Sequence, residues 1–309
     1  MFDVLTIGTA VVDIFIHSPE LKVRREENQE WLCQLYGEKL TVSDLAIHSG
    51  GAATNTAVGF QRLGFKTACI AELGKDFLAT KVLEELHQAQ IETKLLVREK
   101  LEQTGGSVIL VGEDGGRTAL VYRGASAQLD PQDLAMEEIS TARWLHLSSI
   151  GGRLETLTTL FKALKHYQRH YSWNPGRAEL ELLTSGQLAI TELSAQVLLL
   201  NQEEWHTLAP VQPQLQQQIE RIVVTNGDQG GVLLERGQAP YQYSAAQVSS
   251  LDDTGAGDAF GTGFVAGLLS GKTSQEALNW GVHNSASVVQ HVGAKPGLLT
   301  RAQLEASFR

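Results

Sequence analysis

Short apolar runs alternate with amphipathic stretches along most of the chain. Val4 to Gly8 reads as a buried strand ending in a glycine turn, with Asp13 a few residues beyond. After Gly50 and Gly51, the apolar positions Ala57, Val58, Phe60 and Leu63 mark one side of a helix. Thr67 to Leu73 is predicted as a strand and Lys75 to Ala89 as a helix. Gly105 to Arg123 breaks the rhythm: two β-rich runs joined by a Gly/Asp turn have the signature of a hairpin. Beyond Pro131 the pattern predicts strand Trp144 to Leu147, helix Leu154 to Gln168 and strand Tyr171 to Trp173. Strand Val197 to Leu200, a helix from near Glu203 and strand Arg221 to Thr225 follow. The segment Leu251 to Phe264, LDDTGAGDAFGTGF, opens a helix running to about Leu269, and helical patterning continues from Ser274 to Gln290 and at the C-terminus.

Repeated units of this kind predict an α/β fold in three layers, with a mainly parallel central sheet and helices on both faces. The hairpin and the segment from about Ile14 to His48 are expected to form a small separate sheet, with Arg24 to Glu30 as a charged, exposed excursion. The whole chain, 1–309, is then one domain with lid segments at about 14–48 and 105–123.

Composition narrows the partners. A formal net charge of −10 over 309 residues argues against a polyanion-binding surface, and so against nucleic acid. Cys33 and Cys69, the only cysteines, fit no metal-ligand spacing and make no disulfide framework, which points to a reducing cytoplasm. The apolar start carries Asp3 and Asp13 and no basic region, so it reads as a strand and not a leader. No run is long enough to span a membrane.

Chemistry concentrates late in the chain. Gly255, Ala256 and Gly257 allow a tight turn with exposed N–H groups at a helix start, a setting that attracts anions. Asp258 follows at once, and two readings stand: a helix cap, or a base that takes a hydroxyl proton while the cradle holds a phosphoryl group. Asp13 reads either as a solvated loop acid or as a ligand group at a strand end. In HSGGAATNTAVGFQRLG, the diglycine allows close backbone approach and Asn55 can both donate and accept hydrogen bonds.

Rival motifs fail on detail. GAGDAFG places its third glycine at Gly261, one position late for a dinucleotide fingerprint. Gly271-Lys272-Thr273 lacks the first glycine of a phosphate loop, since Ala266 occupies that slot, and Gly271 reads as a helix C-cap. His166 and His170 are spaced for one helix face but have no third ligand nearby.

The diglycine motif, followed by Gly74 and far downstream by DDTGAGDAFGTGF, closely resembles the paired signatures of the PfkB carbohydrate kinases, which have a ribokinase-like fold. The resemblance implies Asp258 as catalytic base and the amides of Gly255, Ala256 and Gly257 as anion hole. It implies that Asp13, Gly50, Gly51 and Asn55 bind the phosphate acceptor. Asn201-Gln202-Glu203-Glu204 matches an N-x-x-E in which Asn201 and Glu204 organise Mg²⁺ and phosphates, largely through water. Thr225, Gly227 and Gly230 match the nucleotide loop, and Asn284 the segment beside the adenine. Asp252 and Thr254 stand where several members bind a monovalent cation such as K⁺. Arg123 either reaches substrate or phosphate or is solvated.

The implied activity is ATP-dependent phosphorylation of a hydroxymethyl group on a free sugar, as in ribokinase or fructokinase. The alternative acceptor is a nucleoside of the adenosine type, and the alternative class is a catalytically silent relative. Ala52 stands where ribokinases usually carry a lysine, which counts against ribose. Few cations face the acceptor side, which counts against phosphosugars. A homodimer through the lid is common among such relatives.

Overall fold

The computed structural model describes residues 1–26, 29–98, 101–112 and 116–307. The chain begins with β1 (Val4–Ile7), β2 (Val11–His17), β3 (Lys22–Glu26), β4 (Gln29–Cys33) and β5 (Asp44–Gly50). Then come α1 (Ala52–Arg62), β6 (Thr67–Ile70), β7 (Glu72–Leu73), α2 (Phe77–Gln88), β8 (Val97–Arg98), β9 (Gly105–Val111) and β10 (Arg117–Tyr122). The alternating region holds α3 (Met136–Thr141), β11 (Trp144–Ser148), α4 (Leu154–His166), β12 (Tyr171–Asn174) and α5 (Arg177–Thr184). It continues with β13 (Val197–Asn201), α6 (Gln202–Thr207), α7 (Gln212–Gln218) and β14 (Arg221–Thr225). Last come β15 (Gly231–Glu235), β16 (Tyr241–Tyr243), α8 (Ala256–Leu269), α9 (Ser274–Val288) and α10 (Arg301–Ala306).

Eight strands form the central sheet in the order β16-β15-β14-β13-β12-β11-β1-β6, parallel from β6 to β14 and antiparallel at β15 and β16. Strand side chains alternate between the faces, so each strand feeds two cores. Leu198, Leu200, Ile222 and Val224 pack on one side with Leu157, Leu160 and Phe161 of α4. Val197, Leu199 and Val223 pack on the other with Phe60 of α1, Phe264 of α8 and Trp280 of α9. Each fully buried Leu or Phe contributes about 1.5–3 kcal/mol. The three layers follow from strands that are apolar on both faces.

The chain leaves β1 toward β6 and returns to β11 on the opposite side of β1. That reversal opens a crevice beyond the carboxyl ends of these strands, the place where open α/β sheets bind ligands.

A second sheet, in the order β10-β9-β2-β5, stands apart from the first. It refines the expected boundaries: Asp13 lies within β2, opposite His48 of β5 and Ser107 of β9, and not in a loop beyond β1. Among the described residues β3 and β4 pair only with each other, and they carry the charged excursion; its residues 27–28 and the predicted hairpin turn at 113–115 lie outside the described residues. The predicted strand Thr67–Leu73 is broken at Ala71, because the carbonyl of Ala71 accepts from Val97 and β7 turns to pair with β8. Helix α2 starts at Phe77, capped by Asp76, whose carboxylate accepts from the Ala79 amide at 2.9 Å. Helix α4 ends at His166, so His170 shares no helix face with it; its ring stacks on Trp144 instead. Gly271 terminates α8 with φ 78°, as expected of a C-cap. Among the described residues no helix is long and apolar enough to cross a membrane.

Candidate active site

Helices α1 and α8 meet at the crevice and bring together side chains 203 positions apart: Asn55 Nδ2 donates to Asp258 Oδ2 at 2.9 Å. The other polar atom of Asn55, Oδ1, is buried with no protein partner. A buried acceptor left unmade costs about 1–3 kcal/mol, so its retention here suits a ligand hydroxyl. Burial raises the pKa of Asp258 above the ordinary aspartate value, against the opposing effects of the Asn55 hydrogen bond and the Lys295 charge.

The turn before Asp258 needs its small residues. Gly255 has φ 79°, and a Cβ there would lie 2.3 Å from the Cβ of Ala294. A Cβ at Gly257 would meet nothing within 4 Å, so this backbone faces open space. The amide of Ala256 donates to the Asp253 carbonyl at 3.2 Å. Among the described residues the amides of Gly255 and Gly257 meet no protein acceptor, and they lie at the positive end of α8, a setting that attracts anions.

In the second sheet, Asp13 projects from β2 and takes a short hydrogen bond from Ser107 Oγ of β9. Burial raises its pKa, with Ser107 and Lys295 acting in the opposite direction. Any side chain at Gly50 would collide with the Asp13 carboxylate, its Cβ falling 2.0 Å from Oδ2. Gly51, with φ 90°, caps α1 and carries the chain from the small sheet into the helix that holds Asn55.

Two cations that sequence reasoning did not place stand behind these groups. Lys295 is buried and donates to the Ser49 carbonyl and Oγ, both at 2.7 Å, and to Thr54 Oγ1 at 3.0 Å. It thus flanks the diglycine turn, close to the position where Ala52 replaces the expected lysine. Burial lowers its pKa to about 8, while the charges of Glu85, Asp13 and Asp258 oppose that change. Its only sequence signal is a lysine in the glycine-bounded turn Gly293 to Gly297. Arg117, at the start of β10, pairs with the Asp252 carboxylate and donates to Thr254 Oγ1 at 3.3 Å. Arg123 is exposed, and its carbonyl accepts from Ser126.

Beside the cradle lies a cavity of about 510 Å³. Thr225, Gly227 and Gly230 line one side, and Ala256 and Gly257 line the end nearest Asp258. Tyr243, Val248, Phe260, Val282 and Val289 make the wall largely apolar, suited to a flat aromatic base. Asn284 is placed elsewhere: it is fully buried, its Nδ2 donating to Ala259 and its Oδ1 accepting from Leu299. Its neighbours Ser285 and Ala286 face the cavity instead. Asn201 and Glu204 form a capping box at the start of α6, each side chain accepting from the other's amide at 2.8 Å. Burial and the adjacent Glu203 raise the pKa of Glu204. Among the described residues no cluster of three or more His, Cys, Asp or Glu side chains could hold a metal ion by itself.

Residues 4–301 match the family described as pfkB family carbohydrate kinase. The ATP-dependent 6-phosphofructokinase of Thermoanaerobacterium thermosaccharolyticum is 23% identical over 95% of this chain and 89% of its own length. An Escherichia coli fructokinase is 29% identical over 73% of this chain and 77% of its own. Among solved structures, the Methanocaldococcus jannaschii nucleoside kinase, an archaeal member of the ribokinase family, superposes with a TM-score of 0.79. It is 19% identical and covers 98% of this chain and 97% of its own. The chain therefore belongs to the pfkB family of carbohydrate kinases, phosphotransferases with the ribokinase-like fold.

Proposed function

We propose that this kinase transfers the γ-phosphoryl group of ATP to a hydroxymethyl group of a free sugar. The observation that carries this reading is the Asn55–Asp258 contact: a buried carboxylate held at one oxygen, beside a buried amide oxygen with no protein partner. Asp13 and Asn55 fix the acceptor's hydroxyls. Asp258 Oδ1 takes the proton of the attacking hydroxyl, which the raised pKa favours. The amides of Gly255 and Gly257 stabilise charge on the transferring group at the moment it develops. The base and ribose of ATP occupy the apolar cavity, with the phosphates toward Gly257.

Glu204 suits Mg²⁺, being an oxygen donor whose pKa is raised by burial and a neighbouring acid, a state that a cation relieves. With Asn201 it would hold the ion through water, and bound Mg²⁺ would neutralise phosphate charge. Free sugars are favoured over phosphosugars because Lys295 and Arg117 are both engaged by protein oxygens, leaving neither for a substrate phosphate. The small sheet serves as a lid, since its inner face carries Asp13 and Ser107 over the crevice.

ADP release measured across free sugars, phosphosugars and nucleosides tests the assignment. A free sugar is expected to give the highest kcat/KM. Turnover of nucleosides alone would transfer the acceptor to that class, and no ADP with any of them would leave a silent relative.

The outer face of the lid leaves Leu45, Ile47, Leu120 and Tyr122 exposed at 53%, 40%, 61% and 49%, an apolar strip that a second copy of the chain would cover. Light scattering is expected to give a dimer that Leu45→Glu converts to monomer; a monomeric wild type would overturn the assembly.

A further inference from the structure

Asp252 is nearly buried, and its carboxylate ties together the loops that build the cradle. Oδ1 accepts from the Thr254 amide at 2.8 Å and Oδ2 from the Gly293 amide at 2.7 Å. Gly293 opens the turn whose next two residues are Ala294, packed on Gly255, and Lys295, bonded to Ser49. Burial opposes charge on Asp252, yet its pKa lies below the ordinary aspartate value, because Thr254, Gly293 and Arg117 all hydrogen-bond the ionised form.

The family resemblance assigns Asp252 and Thr254 to a monovalent cation, and these residues do not fit one. The carboxylate and the Thr254 hydroxyl both accept from the Arg117 guanidinium, and a metal cation added there would meet that fixed positive charge. The guanidinium comes from β10, at the edge of the lid sheet and 135 positions away in sequence. Its side chain is only one-third exposed, so the pair is held partly out of water, where charge-assisted bonds are strong.

We propose that Arg117 supplies from within the chain the positive charge that a bound K⁺ would otherwise provide, and so fastens the lid to the loop carrying the anion cradle. Arg117 is a positioning residue: it touches neither phosphate nor acceptor and acts through Asp252. Two consequences follow. The wild-type cradle is complete without a monovalent cation. Removing Arg117 creates a vacancy that K⁺ can fill, because the Asp252 carboxylate and the Thr254 hydroxyl are then released.

The test compares wild type and Arg117→Ala in potassium chloride and in tetramethylammonium chloride at equal ionic strength. Wild-type melting temperature, ADP affinity and kcat are expected to be the same in both salts. In tetramethylammonium, Arg117→Ala should lose about tenfold in kcat, the lower end of the cost of removing an orienting partner, and K⁺ should restore most of it. A merely structural arginine would give a loss that K⁺ does not repair. Wild-type crystals soaked in rubidium chloride should show no anomalous peak beside Asp252, and Arg117→Ala crystals should show one. A rubidium peak in the wild type, or tenfold stimulation of the wild type by K⁺, would overturn the proposal. Melting, ADP binding and the crystal arm do not depend on the acceptor, so a wrong sugar assignment leaves them decisive. Should Arg117→Ala not fold, the wild-type arms still decide.

Discussion

Replacing Asp258 by Asn lowers kcat by about 10²–10⁴-fold while leaving ATP affinity almost unchanged, because the lost function is proton removal and not nucleotide contact. Asn keeps the size of the side chain and its contact with Asn55 but cannot accept a proton. Wild-type rate should rise with pH as Asp258 ionises, with the acid limb displaced above the ordinary aspartate range, since burial raises this pKa. The variant's residual rate should lack that limb. Stability moves the other way. A carboxyl whose pKa is raised by folding contributes stability below its unfolded pKa and loses it as pH rises through the folded value. At neutral pH the buried charge is therefore a cost, and Asp258→Asn should melt no lower than wild type, as expected where activity has been maintained at the expense of stability. A variant with near-normal kcat would sink the role assigned to Asp258.

The second large effect is expected at Lys295. Lys295→Met leaves the Ser49 and Thr54 oxygens without their buried donor, and it leaves Glu85, bonded to Ser49 Oγ at 2.5 Å, with Lys81 but without the Lys295 charge. Removing one member of a buried charged set costs about 3–5 kcal/mol, which for a chain of this length is a loss of about 5–8 °C in Tm. The pH dependence identifies the cause. The folded pKa of about 8 lies below the reference 10.5, so between those values the unfolded chain holds more protons and this group makes stability rise with pH. The variant should lose that rise. It should also move the acid limb of the rate profile to higher pH, because the Lys295 charge lowers the pKa values of Asp13 and Asp258. Calorimetry from pH 7 to 10.5 with the rate profile checks both; unchanged melting at every pH would show that Lys295 is not the internal counter-charge.

These residues mark how far the sequence could be read. The strands are legible because burial on both faces leaves short continuous apolar runs, as in Val197 to Leu200 and Ile222 to Val224. The cradle is legible because glycines with special backbone demands stand beside an acid. The sequence places Asp13 beyond a strand because Gly8 punctuates the chain, whereas β2 starts three residues later and draws its pairing from β5 and β9. Arg117 and Lys295 were not legible as site residues. Their partners lie 135 and 246 positions away, and a lone basic residue at a strand start or in a turn looks solvated until the fold closes over it. Asn284 illustrates the converse: an amide beside the nucleotide segment is consumed by two internal hydrogen bonds.

The central claim is that Asp258 faces a hydroxymethyl group of a free sugar, with ATP entering from the Gly257 side. The most direct measurement is the product itself, formed from ATP and the best free sugar and analysed by phosphorus–proton correlation NMR. The account predicts a single phosphate ester at the hydroxymethyl oxygen, formed by wild type and reduced in proportion to kcat by Asp258→Asn. Phosphate at a ring hydroxyl, or an ester formed equally fast without the Asp258 carboxylate, would contradict it.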